Sequence, residues 1–545
     1  MKKHEIYTGK VTEFRFPNKG MVEVDGEEAK VLVKNTLPGE KVEFILTKNR
    51  EKKKEGLLRG VIQKAEIETE IPPCPHFEEC GGCAYQTLSY EGQKQLKLEQ
   101  VQTLFADICP DFPLVSCESS PEPWQYRNKM EFSFGDMEKG GKLTLGLHKR
   151  GSFYDIVPVL NCQIIDEDYR KILKVTLEYF RKQNTTYLHK RTHEGYLRHL
   201  MVRRGEKTGE LLICLVTTSE PGPDLKEWTE ELLKADCQGN ITGILHIVND
   251  SLADVVQADE TRVLYGQDYF YEELLGLKFK ITPFSFFQTN STGAEVLYQK
   301  AREYIGEIND KVIFDLYSGT GTIAQVLAPV AKKVIGVEIV PEAVMAAKEN
   351  AKRNGLMNCD FIAGDVLKVI DEIEEKPDFI VLDPPREGIH PKALPKILAY
   401  GVERIVYISC KPTSLARDLP AFLEAGYEVK RADCVDMFPW TRGIETVCLL
   451  SKLHSDQHIE VELKMDGLDL TAAESKATYE EIKEYILEHA GLKVSSLYIA
   501  QVKQKCGIIE RINYNQPKSE NSRQSKCPPE KEKAIREALE HFRII

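Results

Sequence analysis

The chain has no run of about 20 apolar residues, the length needed to cross a bilayer. Its opening, MKKHEIYTGKVTEF, carries a lysine pair but no apolar core of a secretory signal. These absences predict a cytoplasmic protein with no membrane partner. Positive charge is also short: 73 Lys and Arg stand against 85 Asp and Glu, a net charge of −12. That excludes a uniformly basic nucleic-acid binder but leaves room for local basic faces on an acidic body. Cysteine is sparse, 14 of 545 residues, too few for a disulfide scaffold. In a reducing compartment, clustered cysteines point to metal binding or catalysis. No GxxxxGK(S/T) loop occurs, which disfavours a P-loop NTPase, and there is no internal repeat. What remains is ordinary globular composition, 42% apolar and 29% charged, and a length that predicts about three to four domains.

Residues 1–65 read as a small OB-like β-barrel. Short alternating runs are broken by the turn residues Pro17-Asn18-Lys19-Gly20, Asp25-Gly26 and Pro38-Gly39. Lys48, Arg50, Lys52, Lys53 and Lys54 are either a solvated loop or a phosphate-contacting rim. Residues 66–280 read as an α+β domain that opens on a cysteine-rich segment. From 281 to 453, apolar runs of strand length alternate with helical segments. That is the βαβ rhythm of a Rossmann-like, mostly parallel sheet covered on both faces. Residues 456–545 read as a small α/β extension: a helix stopped by Gly491, a strand in SSLYIAQVKQK, and a final helix.

Within the α/β segment, Asp315-Leu-Tyr-Ser-Gly-Thr-Gly ends one strand and opens a helix, so backbone N–H groups can approach a ligand. Glu338 ends the next strand, 23 residues on, placed to accept both hydroxyls of a ribose. Asp365 ends the third strand, within reach of an adenine amino group, and Asp383-Pro384-Pro385-Arg386 ends the fourth. A third fingerprint glycine is missing, because Ile323-Ala324 follows Gly321-Thr322. That favours S-adenosylmethionine, which has no pyrophosphate to seat, over a dinucleotide. Cys410 closes the fifth strand-like run. Lys411 and a following helix N-terminus would both favour its thiolate.

Cys74-x5-Cys80-x2-Cys83 is a three-ligand run that needs a fourth ligand. Cys162 is the candidate, with Cys109 and Cys117 as alternatives from spacing.

Five motifs then occur in order: Phe284-Ser-Phe-Phe-Gln288, Asp315-Leu-Tyr-Ser-Gly, Asp383-Pro-Pro-Arg-x-Gly388, Ser409-Cys410-x-Pro, and Phe438-Pro439 with Glu445-Thr446-Val447. This set resembles the RNA uracil-5-methyltransferase family, the TrmA/RumA group, over roughly residues 5–453. The resemblance implies that Gln288, Tyr317, Glu338 and Asp383 contact S-adenosylmethionine, with Asp365 and Thr322 as weaker additions. It implies that the Cys410 thiolate adds to uracil C6, and that Glu445 is the base that removes the C5 proton. Glu445 would be charged, and so competent, at its ordinary pKa of about 4.3. It further implies a TRAM domain at the N-terminus and a 4Fe–4S cluster on Cys74, Cys80, Cys83 and Cys162, with zinc the chemical runner-up. A barrel plus a cluster points to 23S ribosomal RNA as the substrate, with transfer RNA, or an impaired RNA-binding homologue, as the alternatives. The family's two histidine positions hold Trp440 and Gly443 here, so Trp440 is free to stack on a base, and Lys411 stands where Asn is usual.

Three stretches of the central domain mix cations with aromatics and read as RNA contacts: Trp124 to Lys129, His148-Lys149-Arg150, and Leu197 to Arg204. The tail, with Lys476, Lys483, Lys493 and Val502 to Lys505, is either an accessory RNA module or a packing domain.

Overall fold

The computed structural model describes residues 1–50, 53–253, 258–306, 308–453, 479–492, 494, 496–506 and 528–542. It divides into two units, Met1–Ser455 and Asp456–Ile545.

The first unit begins with β1 (Ile6–Arg15), β2 (Lys19–Val24), β3 (Lys30–Lys34), β4 (Lys41–Arg50) and β5 (Lys53–Gln63). They close on themselves in the order β1-β2-β3-β5-β4. Strict alternation dictates the interior: Val22 and Val24, Val31 and Val33, and Val42, Phe44 and Leu46 all point inward. The helix Tyr90–Phe105 follows, its Ser89 hydroxyl accepting from the Gly92 N–H. Next comes β6 (Leu114–Glu118).

The central sheet has seven strands: β7 (Lys129–Gly135), β8 (Thr144–His148), β9 (Ile156–Pro158), β10 (Leu197–Arg204), β11 (Glu210–Thr217), β12 (Asn240–Val248) and β13 (Glu260–Gly266). They lie in the order β13-β12-β11-β10-β7-β8-β9. Helices Glu167–Lys182 and Leu225–Leu233 contribute Phe180 and Trp228 to the core on one face. A hairpin of β14 (Phe270–Leu274) and β15 (Leu277–Ile281) leads into the last sheet.

That sheet contains β16 (Ile308–Leu316), β17 (Ala331–Glu338), β18 (Cys359–Ala363), β19 (Phe379–Leu382), β20 (Arg404–Ser409), β21 (Tyr427–Val435) and β22 (Glu445–Lys452). Its order is β18-β17-β16-β19-β20-β22-β21-β6. The first five are parallel, and β22 runs antiparallel to β20. Continuous apolar runs are required because both faces are covered. Ile313, Val334, Val381 and Val406 pack on one side, and Phe314, Ile335, Ile380 and Ile405 on the other. The strand order reverses between β16 and β19, the place where open α/β sheets bind ligands beyond their carboxyl ends. The strand β6 arrives from far upstream and pairs parallel to β21.

The expected architecture needs two corrections. The central domain is not an iron–sulfur domain: among the described residues, no three His, Cys, Asp or Glu side chains are arranged to hold a metal ion. The C-terminal unit is not α/β over its described residues, which form helices Tyr479–Ala490, Ser496–Lys505 and Pro529–His541. The segment read as a strand is the second of these. Ile499 and Val502, three apart, share a core with Ile482, Ile486, Ile535 and Leu539. Lys476 and Lys493 lie outside the described residues.

Candidate functional site

The site is assembled at the reversal point. Asp315 is fully buried at the end of β16, and its Oδ2 accepts from the Ala324 N–H at 2.9 Å. Burial, reinforced by the Asp383 carboxylate, pushes its pKa up to about 8. The chain then turns sharply: Tyr317, Gly319 and Gly321 all have positive φ, at 70°, 54° and 72°. A Cβ on Gly321 would lie 2.5 Å from the Phe361 ring, so the third residue of this turn must be glycine for the loop to pack on β18. Glu338, at the end of β17, accepts from the Gly319 N–H at 2.9 Å and the Val340 N–H at 3.0 Å. Two buried oxygens at this turn, Asp315 Oδ1 and Ser318 Oγ, have no protein partner. Unsatisfied polar atoms beside a glycine-lined turn suit a polar ligand lying across it.

The other expected contacts gather here to different degrees. Tyr317 is half-buried, and Thr322 is buried at the start of the helix Thr322–Leu327. Gln288 lies beside the buried Tyr298 hydroxyl. Asp365 accepts from the Leu367 N–H at 3.0 Å, capping the short helix Val366–Val369.

Sheet register sets the reactive group. Ser409 at the end of β20 pairs with Thr446 near the start of β22, which brings Cys410 beside Glu445. Burial pushes the Cys410 thiol up to about 11, and the carboxyls of Glu445 and Asp383 push the same way. The positive charge of Arg386 opposes them more weakly. The expectation that Lys411 activates the thiol is therefore corrected: its side chain is exposed, and the cation that acts on Cys410 is Arg386. In the sequence Arg386 is one member of the Asp383-Pro-Pro-Arg motif with nothing local to assign it a task, and nothing there singles out Tyr298.

Two carboxyls complete the cluster. Asp383 is held up to about 7 by burial. Glu445 is 2% exposed, and burial, then the Asp383 charge, drive its pKa well above the ordinary range, with Arg386 opposing. The expectation of an ordinary Glu445 is corrected accordingly: burial and the neighbouring Asp383 carboxyl favour its protonated form, with Arg386 opposing. Thiol, guanidinium and two carboxyls together can form a carbon–sulfur bond and move one proton.

Trp440 does not present its ring to a ligand. It is buried, stacks on Trp124 with centroids 4.4 Å apart, and its Nε1 donates to the Pro123 carbonyl at 2.8 Å. The 436–443 loop is tied to the helix Tyr90–Phe105 by a buried Lys97–Asp436 pair at 2.5 Å, and Lys97 also donates to the Gly443 carbonyl at 3.0 Å. A side chain at Gly443 would meet Phe438 at 2.9 Å.

Cys74, Cys80, Cys83 and Cys162 do converge, lining one small cavity with Phe77, Leu147, Val159 and Ile164. Burial among those apolar walls pushes the Cys83 and Cys162 thiols up to about 12. Metal ligation needs thiolates at set distances, and these side chains provide no such geometry. The expectation of a 4Fe–4S cluster, or of zinc, on these four cysteines is corrected accordingly. Cys109 and Cys117 lie elsewhere, against the core of the last sheet.

Two of the three expected RNA-contact stretches are largely structural. Arg203 is 1% exposed and donates to the carbonyls of Thr282, Pro283 and Ser285. Arg198 donates to those of Asn249, Ser251 and Ala253, and Arg204 pairs with Asp166 at 2.6 Å. Asn128 bonds Ser291 Oγ and the Gln288 carbonyl, and Tyr126 bonds the Pro439 carbonyl. Among the described residues, no helix is long and apolar enough to cross a membrane.

Residues 246–453 match the family model described as tRNA (Uracil-5-)-methyltransferase. An uncharacterised RNA methyltransferase of Clostridium tetani is 48% identical over 448 residues, covering 82% of this chain and 98% of that one. Another, from Caldanaerobacter subterraneus, is 48% identical over 453 residues, covering 83% and 100%. The crystal structure of Pyrococcus abyssi tRNA (uracil-54, C5)-methyltransferase with S-adenosyl-L-homocysteine is similar at a TM-score of 0.64 and 25% identity, covering 81% of this chain and 99% of that one. The chain belongs to the RNA uracil-5-methyltransferase family and is an S-adenosylmethionine-dependent RNA methyltransferase.

Proposed function

We propose that the enzyme methylates C5 of a uridine in transfer RNA through a transient bond between Cys410 Sγ and uracil C6. The observation that carries this reading is the β20–β22 register, which brings Cys410 beside Glu445, with Arg386 a charged neighbour of both. Uracil C5 is a poor nucleophile. Addition of the Cys410 thiolate to C6 moves electron density onto C5 and the O4 carbonyl, and C5 can then attack a methyl electrophile. Gln288, Tyr317, Glu338 and Asp383, with Thr322 and Asp365 as weaker additions, would hold S-adenosylmethionine, which would supply the methyl group and leave as S-adenosylhomocysteine. Arg386 stabilises the thiolate. Once ionised, Glu445 is a stronger base than an ordinary glutamate because its pKa is raised, and Arg386 favours that ionised form. Glu445 takes the C5 proton, the C5–C6 double bond re-forms, and the sulfur leaves.

Transfer RNA is preferred to the 23S ribosomal RNA expected from sequence. The expectation of ribosomal RNA leaned on a barrel together with a metal cluster; the barrel is there, but among the described residues the geometry for the cluster is not. The name of the matching family model and the substrate named for the Pyrococcus abyssi enzyme both support the transfer-RNA reading. Mapping 5-methyluridine in cells with and without this gene tests it. Loss at a transfer-RNA uridine is expected, and loss confined to 23S RNA would overturn the choice of substrate.

A further inference from the structure

We propose that two loops of the central domain form a second RNA-docking surface, which grips a single-stranded or looped segment of the substrate away from the target uridine. The inference rests on the RNA-methyltransferase reading. One loop joins β8, which ends at His148, to β9 and carries Lys149, Phe153 and Tyr154; the other precedes β10 and carries Lys190 and Arg191. Phe153 is 58% exposed and Tyr154 50% exposed, an expensive place for two adjacent aromatic rings. Cations hold both rings in position. The Lys190 ammonium sits 4.0 Å from the Phe153 centroid and donates to the Phe153 carbonyl, and the Arg191 guanidinium sits 5.0 Å from the Tyr154 centroid. The two rings meet edge to face at 5.5 Å, and the His148 ring stacks parallel to Phe153 at 5.9 Å.

The local charge runs against that of the whole molecule. Besides Arg150, which is engaged with loop carbonyls, residues 148–155 and 186–195 hold Lys149, Lys190 and Arg191 against Asp155 and Glu194, in a chain of net charge −12. Rings braced by cations match what an unpaired nucleic-acid strand offers, a base face and a phosphate at each step. The surface is also joined to the reaction centre. Arg150, in the first loop, donates to the Phe77 and Cys83 carbonyls, and the next residues, Ala84 and Tyr85, donate to the Trp440 carbonyl five residues before Glu445. RNA held on these loops would therefore be registered against the catalytic thiol.

The test uses the full chain, a 12-nucleotide oligouridine and a pool of unmodified tRNA transcripts as probes, with anisotropy for binding and methyl incorporation for activity. The variants are Phe153→Ala with Tyr154→Ala, and Arg191→Ala. The proposal predicts at least fivefold weaker binding of both probes and a KM raised by the same factor, with kcat within twofold of wild type. Arg191→Ala should also make the dependence of log Kd on log salt shallower by about 0.7 to 0.9, and Tyr154→Trp should restore binding. Folded variants that bind both probes as tightly as the parent overturn the proposal. So does a loss confined to kcat. If the parent binds RNA through this surface yet methylates no RNA, the proposed function fails and the surface stands.

Discussion

The Arg386 guanidinium lies near the Cys410 sulfur and is the neighbour whose charge favours its thiolate. Burial, Glu445 and Asp383 all hold the proton on. Replacing Arg386 with Ala removes that opposition, so the thiol pKa rises further and less thiolate is present at any given pH. The expected result is a kcat/KM about 100-fold lower near pH 7.5, with the acidic limb of the pH–rate profile moved upward. Arg386→Lys, which keeps charge but not the fork, should fall between. An Ala variant with an unshifted profile would remove Arg386 from thiolate formation.

Glu445→Gln separates bond making from product release. The amide cannot accept the C5 proton, so methyl transfer should occur once and the cysteine–RNA adduct should persist. Denaturing gels should show that adduct accumulating with wild-type substrate RNA, alongside steady-state turnover reduced at least 100-fold. Rapid turnover with no adduct would assign the proton to Asp383 instead.

Asp315 costs the fold stability as pH rises. Its carboxyl is held at about 8 against an ordinary 3.8, so between those values the folded state keeps a proton that the unfolded chain has lost. Stability from this group is full below pH 4 and declines through pH 8. Asp315→Asn keeps the acceptor for Ala324 N–H and removes the decline. The unfolding midpoint at pH 8 should rise by about 2 °C or more, with little change at pH 4. An equal shift at both pH values would refute the electrostatic origin.

Trp440 is a packing residue. Trp440→Ala should cost about 3 kcal/mol or more, as expected for a buried indole, and lower the unfolding midpoint. RNA affinity measured well below that midpoint should be unchanged. Weakened RNA binding at unchanged stability would return Trp440 to the interface.

The last sheet was legible because its signals are local and repeated. Five apolar runs each end on a polar residue, and a parallel sheet buried on both faces allows little else. What escaped was set by distance or by environment. The pairing of β6 with β21 joins residues over 300 apart, and nothing in Leu114–Glu118 announces a partner. Arg198 and Arg203 look like phosphate ligands until the loop carbonyls they hold are seen. Glu445 reads as an ordinary carboxylate because its desolvation belongs to the fold, not to its neighbours in sequence. In the tail, SSLYIAQVKQK alternates enough to pass for a strand, yet Ile499 and Val502 are spaced for a helix face.

The covalent role of Cys410 is tested most directly by incubating the enzyme with S-adenosylmethionine and substrate RNA carrying 5-fluorouridine, then sequencing the RNA-linked peptide by mass spectrometry. Fluorine cannot leave as a cation, so the intermediate stops before cysteine is released. The account predicts a stable one-to-one adduct on the peptide containing Cys410, methylated at C5 and absent from Cys410→Ala. An adduct on another residue, or full turnover by Cys410→Ala, would contradict it.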